Sequence, residues 1–139
     1  MVEAQQKRGI HLRTDVSVPI AAIAAFIVEV TEELTSALPG VLVLSYGHVG
    51  DGNVHVNAMP PADMQGLAFG SWVPRLTACV NGVVDRYGGS ISAEHAIGIS
   101  KRAALSARLP TTDQDLMRAI KRSMDPSGLL SPGRILDWR

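Results

Sequence analysis

Polar and apolar residues alternate from Leu12 to Val18, with Leu12, Thr14, Val16 and Val18 on one side and Arg13, Asp15 and Ser17 on the other. A period of two predicts a short strand, and Arg13, Asp15 and Ser17 then share its wet face. The period lengthens after Pro19: Ile20, Ile23, Ala24, Ile27, Val30, Leu34 and Leu38 recur at helical spacing until Pro39-Gly40 stops it. Val41 to Tyr46 is β-branched and aliphatic, Asn53 to Ala58 alternates again, and the glycine-rich link between them predicts a hairpin ended by Pro60-Pro61. Leu67, Trp72, Leu76, Val80, Val83, Val84 and Tyr87 predict a second long helix, with Pro74 allowing its first turns to form a separate element. Ser90 to Ala93 reads as a short extended segment. Two small helices come next, around Lys101 to Leu109 and Thr112 to Met124, and then a tail in which Asp125 to Gly128 and Pro132 to Arg134 read as helix-stop punctuation. The order β-α-β-β-α-β predicts an α+β fold, a ferredoxin-like sandwich with an antiparallel sheet and a C-terminal helical extension.

Length and composition narrow this picture. A chain of 139 residues, 46% hydrophobic and 19% charged, is expected to fold as a single domain over residues 1–139 around one core. Thirteen basic side chains balance thirteen acidic ones without a block of either sign, which excludes the electrostatic footprint of a nucleic-acid binder. Cys79 is the only cysteine, so no internal disulfide or cysteine cage can form; its apolar surroundings predict a small buried residue and fit a reducing compartment. The most apolar stretch, Val18 to Val30, is too short to span a bilayer, and the segment Glu3 to Arg8 has no apolar signal-peptide centre. The expected location is cytoplasmic, with peripheral membrane association open for a longer parent protein.

Chemistry concentrates in the hairpin. A two-residue turn at Asp51-Gly52 would set His48 opposite His55 and Tyr46 opposite Asn57, with directly opposed Cβ atoms about 5 Å apart. Two imidazoles at that separation can share one divalent cation, while Val43, Val54, Val56 and Ala58 go to the core. Spacing alone leaves two readings open: half of a metal site, or ordinary polar packing beside a turn in which Asp51 is only a turn residue. Glu94-His95 tips the balance, because two histidines and one carboxylate make three protein ligands with an open position. Consecutive residues on an extended backbone point in different directions, so one of this pair ligates and the other is free to act as a base. Imidazole titrates near neutral pH, which makes His95 the better base, although the reverse assignment stays open.

The run Gly47-His48-Val49-Gly50-Asp51-Gly52-Asn53-Val54-His55-Val56-Asn57, followed by Ser90-Ile91-Ser92-Ala93-Glu94-His95, resembles the C-terminal domain of the FAD-linked oxidase family. Thr14-Asp15-Val16-Ser17-Val18-Pro19, Gly98 through Lys101-Arg102, and Met124 through Leu136 agree with the same family. The resemblance implies a flavoenzyme that oxidises a D-2-hydroxyacid of the lactate, glycolate or 2-hydroxyglutarate type to the 2-oxoacid, passing hydride to FAD and then electrons to an unknown acceptor. FAD would be held mainly by an N-terminal domain absent from this chain, so the chain alone is expected to be inactive. The resemblance also implies roles: His48, His55 and Glu94 as ligands of zinc or manganese, His95 as general base, and Arg13 and Asn57 as substrate-binding residues. Lys101 and Arg102 are expected to be surface cations without a catalytic role.

Two departures accompany the resemblance. Ala96 stands where most relatives have glycine, adding a methyl group beside the base. A further substrate-binding arginine of some relatives would precede Met1, so the first ten residues are expected to fray. Two alternative functions use the same side chains without flavin: a metal-dependent hydrolase, and a non-catalytic metal-binding module.

Overall fold

The structure, a computed structural model, describes residues 9–64 and 66–138. The expected fraying falls mostly on residues 1–8, which lie outside the described residues. Contacts divide the chain into two compact units, Met1–His95 and Ala96–Arg139.

In the first unit the elements are β1 (Leu12–Arg13), β2 (Val16–Ser17), a 3₁₀ turn (Ile20–Ala22), α1 (Ile23–Ala37), β3 (Leu42–Tyr46), a second 3₁₀ turn (Val49–Asp51), β4 (Asn53–Met59), α2 (Leu67–Gly70) and α3 (Val73–Arg86). All strand pairs are antiparallel, and β4 is central, with β3 on one side and β1 and β2 on the other. The chain is an α+β domain, as the alternation of periods predicts. The last strand of the expected sandwich is reduced to one bridge, Ser17 to Ser90, so the sheet keeps a ferredoxin-like order with a vestigial edge.

One apolar face of the sheet is closed by two helices. Ile23, Phe26, Val30 and Leu34 are buried on α1, and Leu76, Val80, Val83 and Val84 on α3, each side chain contributing about 1.5–3 kcal/mol relative to exposure. Phe26 belongs to this stripe, whereas Ile20 is exposed, because the first turn is 3₁₀ and shifts the phase of the α-helix after it. Pro19 precedes that turn at φ −52°, and the helix ends at an extended Leu38 before Gly40 at φ +82°. Across the helix pair Arg86 donates to Glu29 at 2.6 Å and to Glu33 at 2.8 Å. Cys79 is half-buried on α3, less enclosed than its apolar neighbours suggest.

The strand expected over Leu12 to Val18 is interrupted at Thr14-Asp15, where the Thr14 hydroxyl donates to the Val56 carbonyl at 2.8 Å. Register is nevertheless continuous across the break. Leu12 pairs with Ala58 and Arg13 with Asn57, and Val16 pairs with Val54 and Ser17 with Asn53, which sets Asp15 across from His55. The hairpin register differs from the expected one: Tyr46, not His48, lies opposite His55. The connection is longer because residues 49–51 form a 3₁₀ turn closed by Gly52 in the left-handed region at φ +73°. Only glycine fits there, since a Cβ at Gly52 would also collide with the Val18 carbonyl oxygen. A slip of two residues keeps every side chain on its predicted face, so His48 and His55 still meet.

The second unit holds α4 (Arg102–Ser106) and α5 (Thr111–Met124), near their expected places. Its tail folds back on itself: Arg102 donates to the Gly133 carbonyl at 2.9 Å, and the Ile135 N–H to the Gly98 carbonyl at 2.9 Å. Asp125 is more than punctuation. It accepts from the Lys121 ammonium and from the N–H groups of Leu129 and Leu130 at 3.0 and 2.9 Å. Lys121 above all, with the Leu130 N–H next, holds the Asp125 carboxyl down to about 2. The sign comes from the depressed value: the contribution is complete above the ordinary carboxylate pKa of about 3.9 and is lost as pH falls toward the folded value. In an acid titration followed by NMR, the Leu129 and Leu130 amides are expected to shift with a midpoint near 2; a midpoint at the ordinary value would show the bridge to be idle in solution.

Ala96 takes φ +59°, in the left-handed region that glycine adopts freely. Ala96→Gly is therefore expected to raise stability by about 1 kcal/mol in a denaturant melt. A loss of stability would show the strain to be absent.

Candidate active site

On the sheet face opposite the helices, β4 presents Asn53, His55 and Asn57 in alternation, and the flanking strands add Ser17, Asp15 and Arg13 in the same order on one side and Tyr46 on the other. His55 thus sits in the middle of a cross-strand row between Asp15 and Tyr46. Its ring is tilted against Tyr46 at 5.2 Å between centroids and stacks on His95 at 5.6 Å, while His48 approaches edge-on at 6.2 Å.

The residues expected to ligate a metal come together through Glu94. Its Oε1 lies 3.6 Å from His55 Nε2, and its Oε2 lies 3.8 Å from His48 Nδ1. His55 is largely covered, with its side chain 13% exposed, whereas His48 and Glu94 are open to solvent at 59% and 49%. An open pocket of about 260 Å³ adjoins them, lined by Ser17, His48, Asp51, Asn53, Ala93 and Glu94.

Asp15 is the residue that the alternation pattern misplaces. It lies on the predicted face but is 1% exposed, because residues 93–95 fold over it. The backbone N–H groups of Ala93, Glu94 and His95 all donate to its Oδ2, at 3.1, 2.9 and 2.7 Å. Asn53 Nδ2 donates to its Oδ1 at 2.9 Å. Burial alone would raise this carboxyl, but the N–H groups of His95 and Glu94, the Asn53 amide and the His95 imidazole together hold it below its ordinary value. Because residues 92–95 wrap a carboxylate and do not run as a strand, Glu94 and His95 do not point apart. Each supplies an atom to a donor set with Asp15 and His55, all within 4.8 Å of one another, and His48 reaches this set through Glu94.

The donor set fits a divalent ion. Ligands held at about 2.1 Å around a tetrahedral ion lie about 3.4 Å apart, close to the 3.6 and 3.8 Å separating Glu94 from the two rings. Two imidazoles with carboxylate oxygen suit zinc or manganese. The Asn53 side-chain oxygen, buried beside the pocket, has no partner among the described residues, as expected of an acceptor whose partner is a bound molecule.

Of the residues expected to bind substrate, Arg13 is exposed on the site face, and its Nε donates to His11 Nε2 at 2.6 Å. Asn57 lies across from Arg13 but is 2% exposed, and its amide donates to Tyr46 Oη at 3.0 Å beneath His55. Lys101 and Arg102 lie in the second unit.

A family model described as FAD linked oxidases, C-terminal domain, matches residues 1–135. The chain belongs to this family. The resemblance carried by its two histidine motifs therefore holds. Among relatives, the chain is 38% identical over 125 residues to the D-2-hydroxyglutarate dehydrogenase of Xanthomonas citri pv. viticola, covering 90% of this chain and 26% of that protein. It is 33% identical over 123 residues to the D-2-hydroxyglutarate dehydrogenase of Stutzerimonas stutzeri, covering 88% and 26%. With the mitochondrial D-2-hydroxyglutarate dehydrogenase of Rattus norvegicus the identity is 31% over 139 residues, covering 100% and 25%. The chain thus spans about a quarter of the length of these relatives. Among the described residues no helix is long and apolar enough to cross a membrane.

Proposed function

We propose that this chain is the substrate-side domain, acting as one unit over its whole length, of a flavin-dependent dehydrogenase that oxidises a D-2-hydroxyacid to the 2-oxoacid. The observation that carries the reading is the cluster in which Glu94 faces both His48 and His55 and His95 stacks on His55, beside an open pocket lined by His48 and Glu94, in a member of the FAD-linked oxidase family. D-2-hydroxyglutarate is the first substrate to try, because the relatives carry that name.

His48, His55 and Glu94 would hold the divalent ion, zinc or manganese, and FAD would be held mainly by another part of a longer protein. When bound, the flavin would supply a hydride acceptor and the ion Lewis acidity toward the substrate hydroxyl. The chain's own residues do the rest. His95 takes the hydroxyl proton: its Nδ1 lies 3.8 Å from Asp15 Oδ2, which leaves Nε2 as the accepting nitrogen. Arg13, exposed on the same face, holds the substrate carboxylate in a charge-assisted pair. Asn57 acts from beneath, keeping Tyr46 against His55.

The partners are then the small 2-hydroxyacid, the flavin-binding domain and an electron acceptor. Ile120, Met124, Leu129 and Leu130 are exposed on the second unit, which suits contact with a further domain. A cytoplasmic location remains the reading of the lone cysteine. The test is to express the full-length parent, record its flavin absorbance, and screen D-2-hydroxyacids with and without a chelator. Bleaching of the flavin by one acid, lost on chelation, is the expected result; no flavin, or no acid that bleaches it, would sink the proposal.

A further inference from the structure

Asp15 touches no reacting atom in the reaction as written, yet its side chain is held by more hydrogen bonds than any other named in the site. Three backbone N–H groups converge on Oδ2, which has two lone pairs to offer, and the Asn53 amide donates to Oδ1. A carboxylate committed in this way is poorly placed to become a metal ligand and well placed to hold others. Three successive N–H groups turned onto one oxygen shape residues 93–95 into a nest, the backbone form that cradles anions, with the anion here supplied by the chain itself. That nest delivers the Glu94 carboxylate and the His95 ring to His55.

The same carboxylate faces one nitrogen of each of two imidazoles: Oδ1 lies 3.6 Å from His55 Nδ1, and Oδ2 lies 3.8 Å from His95 Nδ1. Negative charge beside Nδ1 favours the tautomer that carries its proton there and leaves the lone pair on Nε2. For His55 the Nε2 side faces Glu94 Oε1 at the same 3.6 Å, but Glu94 is 49% exposed and screened by solvent whereas Asp15 is 1% exposed, so the buried carboxylate decides which nitrogen keeps the proton. We propose that Asp15 is a positioning residue: one buried carboxylate that fixes the Glu94–His95 turn and sets both rings to the tautomer with Nε2 free. Its purpose rests on the proposed dehydrogenase function, whereas the tautomers rest on geometry alone.

The experiment is a two-bond ¹⁵N–¹H correlation on the labelled chain at about pH 8, where imidazole is neutral. Both His55 and His95 are expected to show a protonated Nδ1 and a bare Nε2; a His55 ring protonated at Nε2 overturns the proposal. Asp15→Asn keeps the volume but loses the charge. It is expected to raise the Nε2-protonated population of both rings and to weaken binding of zinc alone by about 10- to 100-fold, the loss typical of an outer-shell partner. Unchanged tautomers in the variant, or a loss of zinc affinity beyond about 1,000-fold, would mean that Asp15 does not act this way or is itself a ligand. If circular dichroism shows that Asp15→Asn does not fold, the tautomers of the unmodified chain decide the matter. If the unmodified chain binds no zinc, the metal assignment fails, and the tautomers still test Asp15 by themselves.

Discussion

Glu94→Gln is expected to weaken zinc binding by this chain more than about 100-fold while leaving its folding stability within about 0.5 kcal/mol. The asymmetry comes from position. Glu94 is half-exposed, and it is the one side chain that spans from His55 to His48, offering one oxygen to each ring. Gln keeps the length and one carbonyl oxygen but gives up the charge that neutralises a cation and the second ligating oxygen. Outer-shell substitutions already cost about 10- to 100-fold, so loss of a ligand should cost more. Asp15 is poorly placed to take over, because the N–H groups that shape the turn, including that of residue 94 itself, converge on its Oδ2 and the Asn53 amide holds its Oδ1. His55→Ala should weaken binding comparably, since His55 contacts both Glu94 and Asp15. Calorimetric titration with zinc, beside a thermal melt, checks both. Undiminished affinity in Glu94→Gln would move the ion to Asp15, His55 and His95, the rest of the close donor set.

The fold is legible where a single period governs a segment. Helical stripes ending at proline and glycine locate α1, α3 and α5, and two-residue alternation locates the strands, because burial of one face is what those periods record. The misses have physical causes. The phase of α1 is set by a 3₁₀ turn that no periodicity announces, so the helical stripe places Ile20 inside and omits Phe26. The closing strand shrinks to a bridge at Ser90 because the Glu94 and His95 N–H groups go to the Asp15 carboxylate and that of Ala93 is divided between it and the Asp15 carbonyl.

Within the site, the histidines and Glu94 can be found from residue type and spacing, since imidazole and carboxylate in proximity carry their chemistry with them. Asp15 cannot. A polar residue at an alternating position reads as solvent-facing, and its burial depends on a loop that begins 78 residues later in the chain. The one available signal is local, an acidic residue flanked by Thr14 and Val16 in the middle of a strand, where an unpaired charge has no reason to be. Even the wrong hairpin register leaves the site intact, because an error of two residues preserves the face that each side chain occupies.

If the full-length parent is the proposed dehydrogenase, His95→Ala is expected to lower its turnover by about 10²- to 10⁴-fold, or about 2.7–5.5 kcal/mol of barrier, with zinc still bound. The structure makes this a clean removal. What pins residue 95 is its backbone N–H on Asp15, at 2.7 Å, which alanine retains, so the turn carrying Glu94 should survive the loss of the ring. The ring itself is 64% exposed and stacked on His55, placed to meet a substrate without serving as packing. A fall confined to kcat, with zinc affinity within a few-fold of the parent, assigns His95 to proton transfer. A parallel loss of zinc would make it a ligand, as its place in the donor set allows, and unchanged turnover would remove it from the mechanism. Glu94→Gln gives the complementary pattern, in which turnover falls because the ion is lost and partly returns at high zinc concentration. The two variants together therefore separate the residue that moves the proton from the one that holds the metal.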